Sequence, residues 1–365
     1  MPDSPIRKIA ITTGGGDAPG LNAVIRAIVL SAHQRGWQCY GIRRGYDGLL
    51  AQEGVMNLGP REVRGITHLG GTILGTTNRG NPFRYAIKGP DGKETEVDRS
   101  DELIAGFHAS GFEALIAIGG DGSLSIAHQL WKKGLPVVGV PKTIDNDVPG
   151  TLAAFGFDTA VSTATDAIDK LHSTAESHQR VMVVEVMGRH AGWIALNSGV
   201  AATADVILIP EIPFDIEKVC EKIRQREAQG RGFSIVVVAE GATPIGGSVV
   251  FLERRQVGTV DRLGGIGNHV AQAIQERTGK EVRAMVLGHL QRGGSPTTFD
   301  RLLGLRFGAA AVRAVVDGAF GHMVAFNPPR IERVPLDQVI GKCRTVPVES
   351  DTVLTARDLG ISLGD

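Results

Sequence analysis

The chain has 365 residues, of which 42% are hydrophobic and 21% charged, and its formal net charge is zero. This length exceeds one typical domain and predicts two lobes, while the balanced charge does not favour nucleic-acid or membrane-surface binding. The three cysteines lack paired spacing, and the sequence contains neither a signal-peptide core nor an apolar stretch of about 18 residues. We therefore expect a cytoplasmic protein with free thiols.

The first part of the chain alternates predicted strands, glycine-rich loops and helices. Lys8–Thr13 is a predicted strand that opens into Gly14–Gly20, followed by a helix over Asn22–His33. Glycines between a strand and a helix can bring backbone N–H groups to an anion, although a tight turn needs the same residues. Gln38–Ile42 is the next predicted strand, and a further glycine-rich loop covers Gly70–Gly80.

The central unit is a predicted strand, helix and strand. A polar segment over residues 88–99, either an exposed hairpin or an excursion of the chain, and a helix lead into this unit. Its strands are Leu115–Ile118 and Pro136–Val140, with a helix from about Ser123 to Lys133 between them. This order makes the two strands parallel. Ligands of open α/β sheets bind along the carboxyl edge of such strands.

Acidic residues follow both strands of the central unit. Asp121 follows the first strand, and Asp145 and Asp147 follow the second. Asp121 beside glycines suits Mg²⁺, which takes one or two carboxylates plus phosphate oxygens. Asp145 and Asp147 are two residues apart, so both side chains can reach one ligand and one can accept a hydroxyl proton. Plain turn residues would explain the same pair if it stood alone.

The remainder of the chain continues the alternation. Predicted helices and strands cover Phe155–Ser173, Val181–Val186, Val206–Ile209, Ile216–Arg226, Ser234–Ala239, Leu263–Glu276, Val282–Leu287 and Arg301–Asp317. The sequence from about Ile331 gives no clear prediction. Strand–loop–helix units in series predict an α/β protein of two lobes, each a mainly parallel sheet with helices on both faces.

Charged residues gather at the predicted strand ends: Asp17, Asp121, Asp145, Asp147, Arg180, Arg189, Glu211, His289 and Arg292. Each alone fits a surface ion pair or a structural role. Arginines bind phosphate bidentately. Together with carboxylates and glycine-rich loops, they predict phosphoryl transfer to the hydroxyl of a ligand that already carries phosphate, through positioning and charge neutralisation.

Six motifs, in order, resemble the 6-phosphofructokinase family: GGDAPGLNAVIR (15–26), IGGDGS (118–123), PKTIDND (141–147), HQRVMVVEVMGRHAGW (178–193), PE (210–211) and LGHLQRGGSPTTFDR (287–301). GGDGS alone is shared with NAD kinases and lipid kinases, whereas TIDND, MGRHAG and GHLQRGGSP are specific. The resemblance implies a glycolytic kinase that uses MgATP to phosphorylate fructose 6-phosphate at the 1-hydroxyl.

The resemblance also implies residue roles. Asp145 is the base, supported by Thr143, Asp147 and Lys142. Asp121 holds Mg²⁺. The nucleotide side comprises Gly15, Tyr46, Arg79, Gly120, Gly122 and Ser123. The sugar phosphate side comprises Thr143, Asp145, Met187, Gly188, Arg189, Glu211, His289 and Arg292. Arg180 and Arg283 match arginines that reach the site of a neighbouring subunit, which implies a homodimer or homotetramer with shared active sites.

The predicted domain division is 1–156 for the nucleotide and Mg²⁺ lobe, to which the chain returns at about 291–341, 157–290 for the fructose 6-phosphate lobe, and 342–365 for a C-terminal tail. No complete set of the family's allosteric-site residues is matched. Effector regulation is therefore not part of the prediction.

Two positions depart from the classical bacterial ATP enzymes, which have glycine at position 142 and arginine at position 78. Pyrophosphate-dependent relatives combine Lys142 with aspartate at position 122, where this chain has Gly122. An aspartate there would put negative charge where the α-phosphate lies, so glycine favours ATP, and Lys142 suits either donor. This chain has Asn78 in place of that arginine, so Arg79 or Lys142 would have to supply its positive charge.

The pyrophosphate-dependent phosphotransferase remains an alternative, as does a non-catalytic sugar-phosphate sensor. The retained aspartates at positions 121, 145 and 147 argue against the sensor, because a sensor needs neither a base nor a metal ligand.

Overall fold

The computed structural model describes residues 6–50, 54–88, 92, 94–253 and 262–365. The strands are β1 Lys8–Thr13, β2 Gln38–Ile42, β3 Val55–Leu58, β4 Tyr85–Lys88, β5 Glu94–Val97, β6 Ala114–Gly119, β7 Val137–Pro141, β8 Val181–Val186, β9 Val206–Leu208, β10 Ser234–Ala239, β11 Phe251–Glu253, β12 Arg262–Leu263, β13 Val282–Val286, β14 His322–Asn327 and β15 Arg330–Pro335. The helices are α1 Leu21–His33, α2 Asp47–Leu50, α3 Ser100–Ala109, α4 Asp121–Lys132, α5 Phe157–His178, α6 Trp193–Ala201, α7 Ile216–Ala228, α8 Ile266–Thr278, α9 Thr298–Val316, α10 Leu336–Val339 and α11 Asp351–Asp358.

The first sheet has seven strands in the order β15-β14-β7-β6-β1-β2-β3. Its five inner strands run parallel, and the edge strands β15 and β3 are antiparallel to their neighbours. Apolar residues of α1 and α9 pack on one face, and those of α3 and α4 pack on the other. Coverage on both faces explains why β6 and β7 are apolar along their whole length.

The second sheet has four parallel strands in the order β13-β8-β10-β9. Helices α5, α6 and α11 cover one face, and α7 and α8 cover the other. The valine-rich strands β8 and β10 are buried along their whole length. These two sheets confirm the predicted α/β class with mainly parallel strands and helices on both faces. The exact domain limits stay a prediction.

Several element boundaries differ from the sequence prediction for local reasons. Helix α4 begins at Asp121 rather than Ser123. Asp121 therefore lies in its first turn, where the interaction of a negative charge with the helix dipole stabilises the helix. Helix α8 begins at Ile266 rather than Leu263, because Gly264 and Gly265 have φ of 139° and 90°. Helix α9 begins at Thr298, because the Thr297 side chain accepts a hydrogen bond from the Asp300 N–H and caps it.

The predicted hairpin is present as the antiparallel pair β4 and β5, and part of its connection lies outside the described residues. The hairpin of β14 and β15, by contrast, is an element that the sequence did not predict. The three cysteines are unpaired in the structure. No helix in the described ranges has the length and apolar character needed to span a membrane.

Helices α5 and α9 join the two sheets at their N-terminal ends. The Asp300 carboxylate is buried, and its Oδ2 atom accepts hydrogen bonds from the Thr159 N–H at 2.8 Å and the Thr159 hydroxyl at 2.6 Å. The Thr297 hydroxyl in turn donates to Asp158 at 2.5 Å. Each helix start thus supplies hydrogen-bond partners for polar groups of the other, which fixes the two helices relative to each other.

Candidate active site

The loop after β7 carries the two carboxylates predicted from the sequence. The Thr143 hydroxyl donates to Asp147 Oδ1 at 2.9 Å, and the Asp145 N–H donates to Thr143 Oγ1 at 3.1 Å. Asn146, between the two aspartates, has a φ of 53°, which is left-handed. Residues 143–147, hereafter the catalytic loop, therefore hold a backbone shape that local preferences alone do not maintain.

Asp145 has the environment of a proton acceptor. Its Oδ1 atom is buried and accepts no hydrogen bond from the described residues. Burial raises the pKa of its carboxyl to about 6 and the charge of Asp147 adds to this, while Arg292, Lys142 and Arg189 lower it. A carboxylate with a pKa of about 6 is ionised at neutral pH, yet is a stronger base than an exposed aspartate.

Lys142 brings a buried cation next to these carboxylates. Its ammonium donates to the Gly16 carbonyl, and its own N–H donates to the Gly119 carbonyl at 2.9 Å. Burial lowers the pKa of Lys142 to about 8, as does the charge of Arg292, whereas the nearby aspartates raise it. The ammonium thus lies between the glycine-rich loop after β1 and the catalytic loop.

The glycine-rich loops after β1 and β6 pack tightly against each other. A Cβ atom at Gly14 would lie 2.7 Å from Ser123 Oγ, and one at Gly120 would lie 3.2 Å from the Lys142 carbonyl. Gly15 has a φ of 77°, and its N–H donates to the Thr77 carbonyl at 3.2 Å. Gly122 is different, because no described atom lies within 4 Å of the position that a Cβ would occupy there.

Asp121 stands at the first turn of α4, at the same sheet edge as the catalytic loop. It is half-buried, and burial raises the pKa of its carboxyl, with a further contribution from the charge of Asp147. The Gly341 N–H donates to Asp121 Oδ1 at a long 3.4 Å. The prediction that Asp121 faces the same crevice as Asp145 and Asp147 therefore agrees with these charge interactions.

The loop after β8 and the 3₁₀ segment Gly288–Arg292 form the opposite wall. The Met187 N–H donates to Gln291 Oε1 at 2.8 Å, and Arg292 Nη1 donates to the Asp17 carbonyl at 3.1 Å. Gly188 has a φ of 140°, and a Cβ there would lie 2.8 Å from the Ala191 carbonyl oxygen. Arg292 thereby connects the second sheet to the glycine-rich loop after β1.

Glu240 belongs to the cluster, although it is not among the residues predicted from the sequence. It follows β10 directly, and burial raises the pKa of its carboxyl to about 7, with Asp145 raising it and Arg189 lowering it. The signal that could have found it is the one that identified Asp121, an acidic residue directly after a buried strand. Glu211 has a different environment, since its carboxylate accepts the N–H groups of Gly192 at 3.0 Å and Val346 at 2.7 Å.

Arg180 and Arg283 lie away from this cluster. Both bind Glu281, at 3.1 Å and 2.5 Å, at the amino end of β8 and β13. Strand β8 has six residues and spans about 20 Å, so these arginines are at the edge of the sheet opposite Met187. Within one chain they do not join the other predicted sugar phosphate residues.

For three further predicted residues, the contacts and exposure described below do not place the side chain in the cluster around Asp145. Tyr46 is buried in the hydrophobic core with Leu50, so its side chain is not presented to the cleft as a nucleotide ligand would be. Arg79 is exposed, and its N–H donates to Thr77 Oγ1 at 3.0 Å, beside the first glycine-rich loop. His289 is exposed on the same 3₁₀ segment as Arg292.

Comparisons with known proteins agree on one family. Residues 8–315 match the family model described as phosphofructokinase. An ATP-dependent 6-phosphofructokinase from Chloroflexus aggregans is 53% identical over 98% of both chains. A pyrophosphate–fructose 6-phosphate 1-phosphotransferase from Amycolatopsis mediterranei is 50% identical over 94% of this chain and 97% of its own. The Pichia pastoris phosphofructokinase crystal structure in the T-state matches 98% of this chain with a TM-score of 0.77 and 31% identity, and this chain spans 37% of that one.

Proposed function

The chain belongs to the phosphofructokinase family, and we propose that its cleft transfers the terminal phosphoryl group of ATP to the 1-hydroxyl of fructose 6-phosphate. The products are fructose 1,6-bisphosphate and ADP. The observation that carries this proposal is Asp145, a half-buried carboxylate whose buried Oδ1 is unpaired among the described residues and whose raised pKa is moderated by the charges of Arg292 and Lys142. This is the arrangement that a base for a phosphorylated sugar alcohol needs.

Asp145 removes the proton from the 1-hydroxyl as the oxygen attacks the transferred phosphorus. Thr143 holds the geometry, because its hydroxyl links the Asp145 N–H and the Asp147 carboxylate. Asp147 also raises the pKa of Asp145 by its negative charge and so strengthens the base. The bond from the phosphorus to the bridging oxygen of the donor breaks, and that oxygen leaves with ADP.

Lys142 supplies positive charge where the transferred group passes, and Arg292 supplies positive charge on the sugar phosphate side of the cleft. Their cationic groups lie near the glycine-rich loop after β1, since Lys142 donates to the Gly16 carbonyl and Arg292 to the Asp17 carbonyl. Positions fixed before the reaction stabilise developing negative charge without reorganisation. Lys142 or Arg79 takes over the role of the family arginine that Asn78 replaces.

Asp121 is the residue that would hold Mg²⁺, and a bound Mg²⁺ would neutralise negative charge on the donor phosphates. It is half-buried, with one weak N–H contact at 3.4 Å, so its oxygens remain able to ligate. Within the described ranges, no three His, Cys, Asp or Glu side chains gather as a metal cage. In nucleotide sites Mg²⁺ commonly takes one or two carboxylates, with phosphate oxygens and waters as its other ligands.

ATP rather than pyrophosphate is the donor. Gly122 supports this, because the space around its missing side chain is open and leaves room for the nucleotide phosphates. The adjoining N-terminus of α4 also provides backbone N–H groups toward an anion. Lys142 is compatible with either donor and does not oppose this conclusion.

The sugar phosphate occupies the wall formed by the second sheet. Arg189 and Arg292 provide charge for the 6-phosphate and Glu240 can accept hydrogen bonds from sugar hydroxyls. Gly188 allows the backbone to approach closely, with Met187 held through Gln291. Glu211 positions the backbone of this wall, because its carboxylate accepts the N–H groups of Gly192 and Val346.

The working enzyme is a homodimer or homotetramer whose active sites are shared between subunits. It acts in the cytoplasm. Arg180 and Arg283 support this, because their guanidinium groups gather at a sheet edge about 20 Å from the cleft of their own chain. In that position they can complete a neighbouring subunit's sugar phosphate site. Met285 and Val286, on the edge strand β13, are 42% and 49% exposed and would be covered by the neighbour.

We expect Asp145→Ser to abolish turnover while leaving fructose 6-phosphate binding largely intact. A general base contributes 10²- to 10⁴-fold, so kcat should fall at least about 10³-fold at this buried site. Activity with ATP and calorimetric binding of the sugar phosphate measure the two effects. The matched control is Asp169→Ser, which alters an exposed aspartate of α5. Unchanged turnover in Asp145→Ser would exclude Asp145 as the base.

Gly122→Asp should reduce kcat/KM for ATP by at least about 100-fold while affecting pyrophosphate far less, because the new carboxylate repels the nucleotide phosphates. Gly122→Asn is the control, since it adds a side chain of nearly the same size without the negative charge and should reduce ATP use less than Gly122→Asp does. Both donors are assayed with each variant. Equal losses with ATP and pyrophosphate would show that this position does not select the donor.

The pH dependence of kcat/KM should be bell-shaped. Asp145 acts ionised, so the rate rises with pH through its pKa of about 6, and Lys142 acts protonated, so the rate falls through its pKa of about 8. The sugar phosphate also ionises near pH 6, which leaves the alkaline limb as the diagnostic one. Lys142→Arg should remove that limb, because a guanidinium stays charged. An alkaline limb that persists in Lys142→Arg would contradict this assignment.

Mixing two defective subunits should restore activity if sites are shared. Arg180→Ala removes the arginine given to the neighbour, and Asp145→Ser removes the base of its own site. In random dimers of the two variants about a quarter of the sites carry both residues intact, so activity should recover to about that fraction. Co-expression followed by assay measures this. No recovery in mixed oligomers verified by mass would rule out sharing through Arg180.

A further inference from the structure

A short segment near the C-terminus crosses from one sheet to the other over the cleft. We call residues 341–346 the cross-cleft segment. At one end the Gly341 N–H contacts Asp121 Oδ1 at 3.4 Å, and at the other the Val346 N–H donates to Glu211 at 2.7 Å. Helix α10 before it packs on α4, and helix α11 after it packs on α6. None of the segment's side chains has a role in the proposed reaction.

Arg344 is the residue through which the segment reaches the catalytic loop. Its N–H donates to the Asp147 carbonyl at 2.7 Å, and its Nη1 donates to the Asn146 carbonyl at 3.2 Å. Its guanidinium lies 4.4 Å from the centre of the Trp193 ring, and the Trp193 indole N–H donates to the Arg344 carbonyl at 2.9 Å. Trp193 therefore holds the arginine at both its side chain and its backbone.

These contacts fall on the part of the loop that most needs support. Asn146 has a left-handed backbone, which asparagine adopts more readily than other residues with side chains, and its Oδ1 accepts the Ala154 N–H at 3.0 Å. It separates two carboxylates that repel each other, since Asp147 raises the pKa of Asp145. The guanidinium bonds the carbonyl of Asn146 itself and the backbone N–H bonds the next carbonyl, so both peptide planes are held.

We propose that Arg344 is a positioning residue for phosphoryl transfer, acting from the cross-cleft segment to hold the catalytic loop in its reactive shape. The inference rests on the proposed function, because it assigns the loop's carboxylates their roles there. Arg344 does not touch the reacting atoms. Its effect is on the position of Asp145, while the cations that bind phosphate, Arg292 and Lys142, are held by contacts of their own.

A residue that positions the base without binding substrate should affect kcat and leave KM nearly unchanged. A displacement of a base by about 1 Å can cost about 10²-fold in rate, so Arg344→Ala should lower kcat about 10- to 100-fold. The KM values for ATP and fructose 6-phosphate should stay within about threefold of wild type, because substrate-holding residues are unaltered. Arg344→Lys keeps a cation over the ring but not the planar donor, so it should recover only part of the rate.

A second readout does not depend on turnover. Amide hydrogen exchange of a peptide covering residues 142–155 should quicken at least about tenfold in Arg344→Ala, because the loop opens more often. Trp193→Phe keeps an aromatic ring but loses the indole N–H bond to the Arg344 carbonyl, and should show smaller changes of the same kind in kcat and exchange.

The matched control is Arg357→Ala, which removes an arginine of α11 whose guanidinium binds the Asp365 carboxylate, away from the cleft. It should leave kcat and the exchange of residues 142–155 unchanged, with Tm within about 3 °C of wild type. Full-length protein is used throughout, and wild type is assayed in parallel.

Each outcome decides between readings. A tenfold or larger loss of kcat at constant KM, with faster loop exchange and a normal Arg357→Ala, supports the proposal. Wild-type kcat and exchange in folded Arg344→Ala would overturn it, as would an equal loss in Arg357→Ala, which would indicate a general packing role. If wild type itself does not turn over ATP and fructose 6-phosphate, the proposed function fails, and exchange still tests whether Arg344 holds the loop.

Discussion

The cleft depends on the mutual neutralisation of charges that are buried together. Asp145 and Asp147 repel each other, and burial alone would leave Asp145 protonated over a wider pH range. Lys142 and Arg292 offset this, and in return the aspartates keep the Lys142 ammonium charged despite its burial. Removing one member would leave an uncompensated buried charge, which is more costly than the pair itself is favourable.

The glycines of the cleft follow from the same requirement. At Gly16 the absence of a side chain makes room for a cation, because Arg292 Nη1 lies 2.9 Å from where a Cβ would stand. A side chain at that position would push the guanidinium away from Asp17. The loops after β1 and β6 are thus rich in glycine because charged groups and neighbouring backbone pack directly on them.

Sequence reasoning recovered the parts that depend on periodicity and parallel pairing. Asp121 and Asp145 could be placed at one edge because their strands, β6 and β7, are consecutive and parallel. The same reasoning did not reach Glu240, which follows β10 in the second sheet, because strand pairing within one sheet does not show which residues of the other sheet face the cleft. It also missed the contacts of Arg344, because an irregular segment has no repeating pattern that reveals which carbonyls it binds.

Other limits have equally local causes. The starts of α4, α8 and α9 differ from prediction because caps and left-handed glycines, rather than apolar spacing, determine where a helix begins. Arg180 and Arg283 carry the right chemistry but stand at the wrong sheet edge for their own chain. No spacing rule within a single sequence distinguishes a residue that serves its own site from one that serves a neighbour's.

The open space beside Gly122 has a consequence for how such enzymes diverge. For two of the four glycine codons, a single base change converts glycine to aspartate, and the first atom of the added side chain would meet no described atom within 4 Å. The described surroundings therefore do not resist the exchange, and under the donor role proposed for this position a lineage can change its phosphoryl donor without rebuilding its interior. Phylogenetic distance then becomes a poor guide to which donor a given descendant uses.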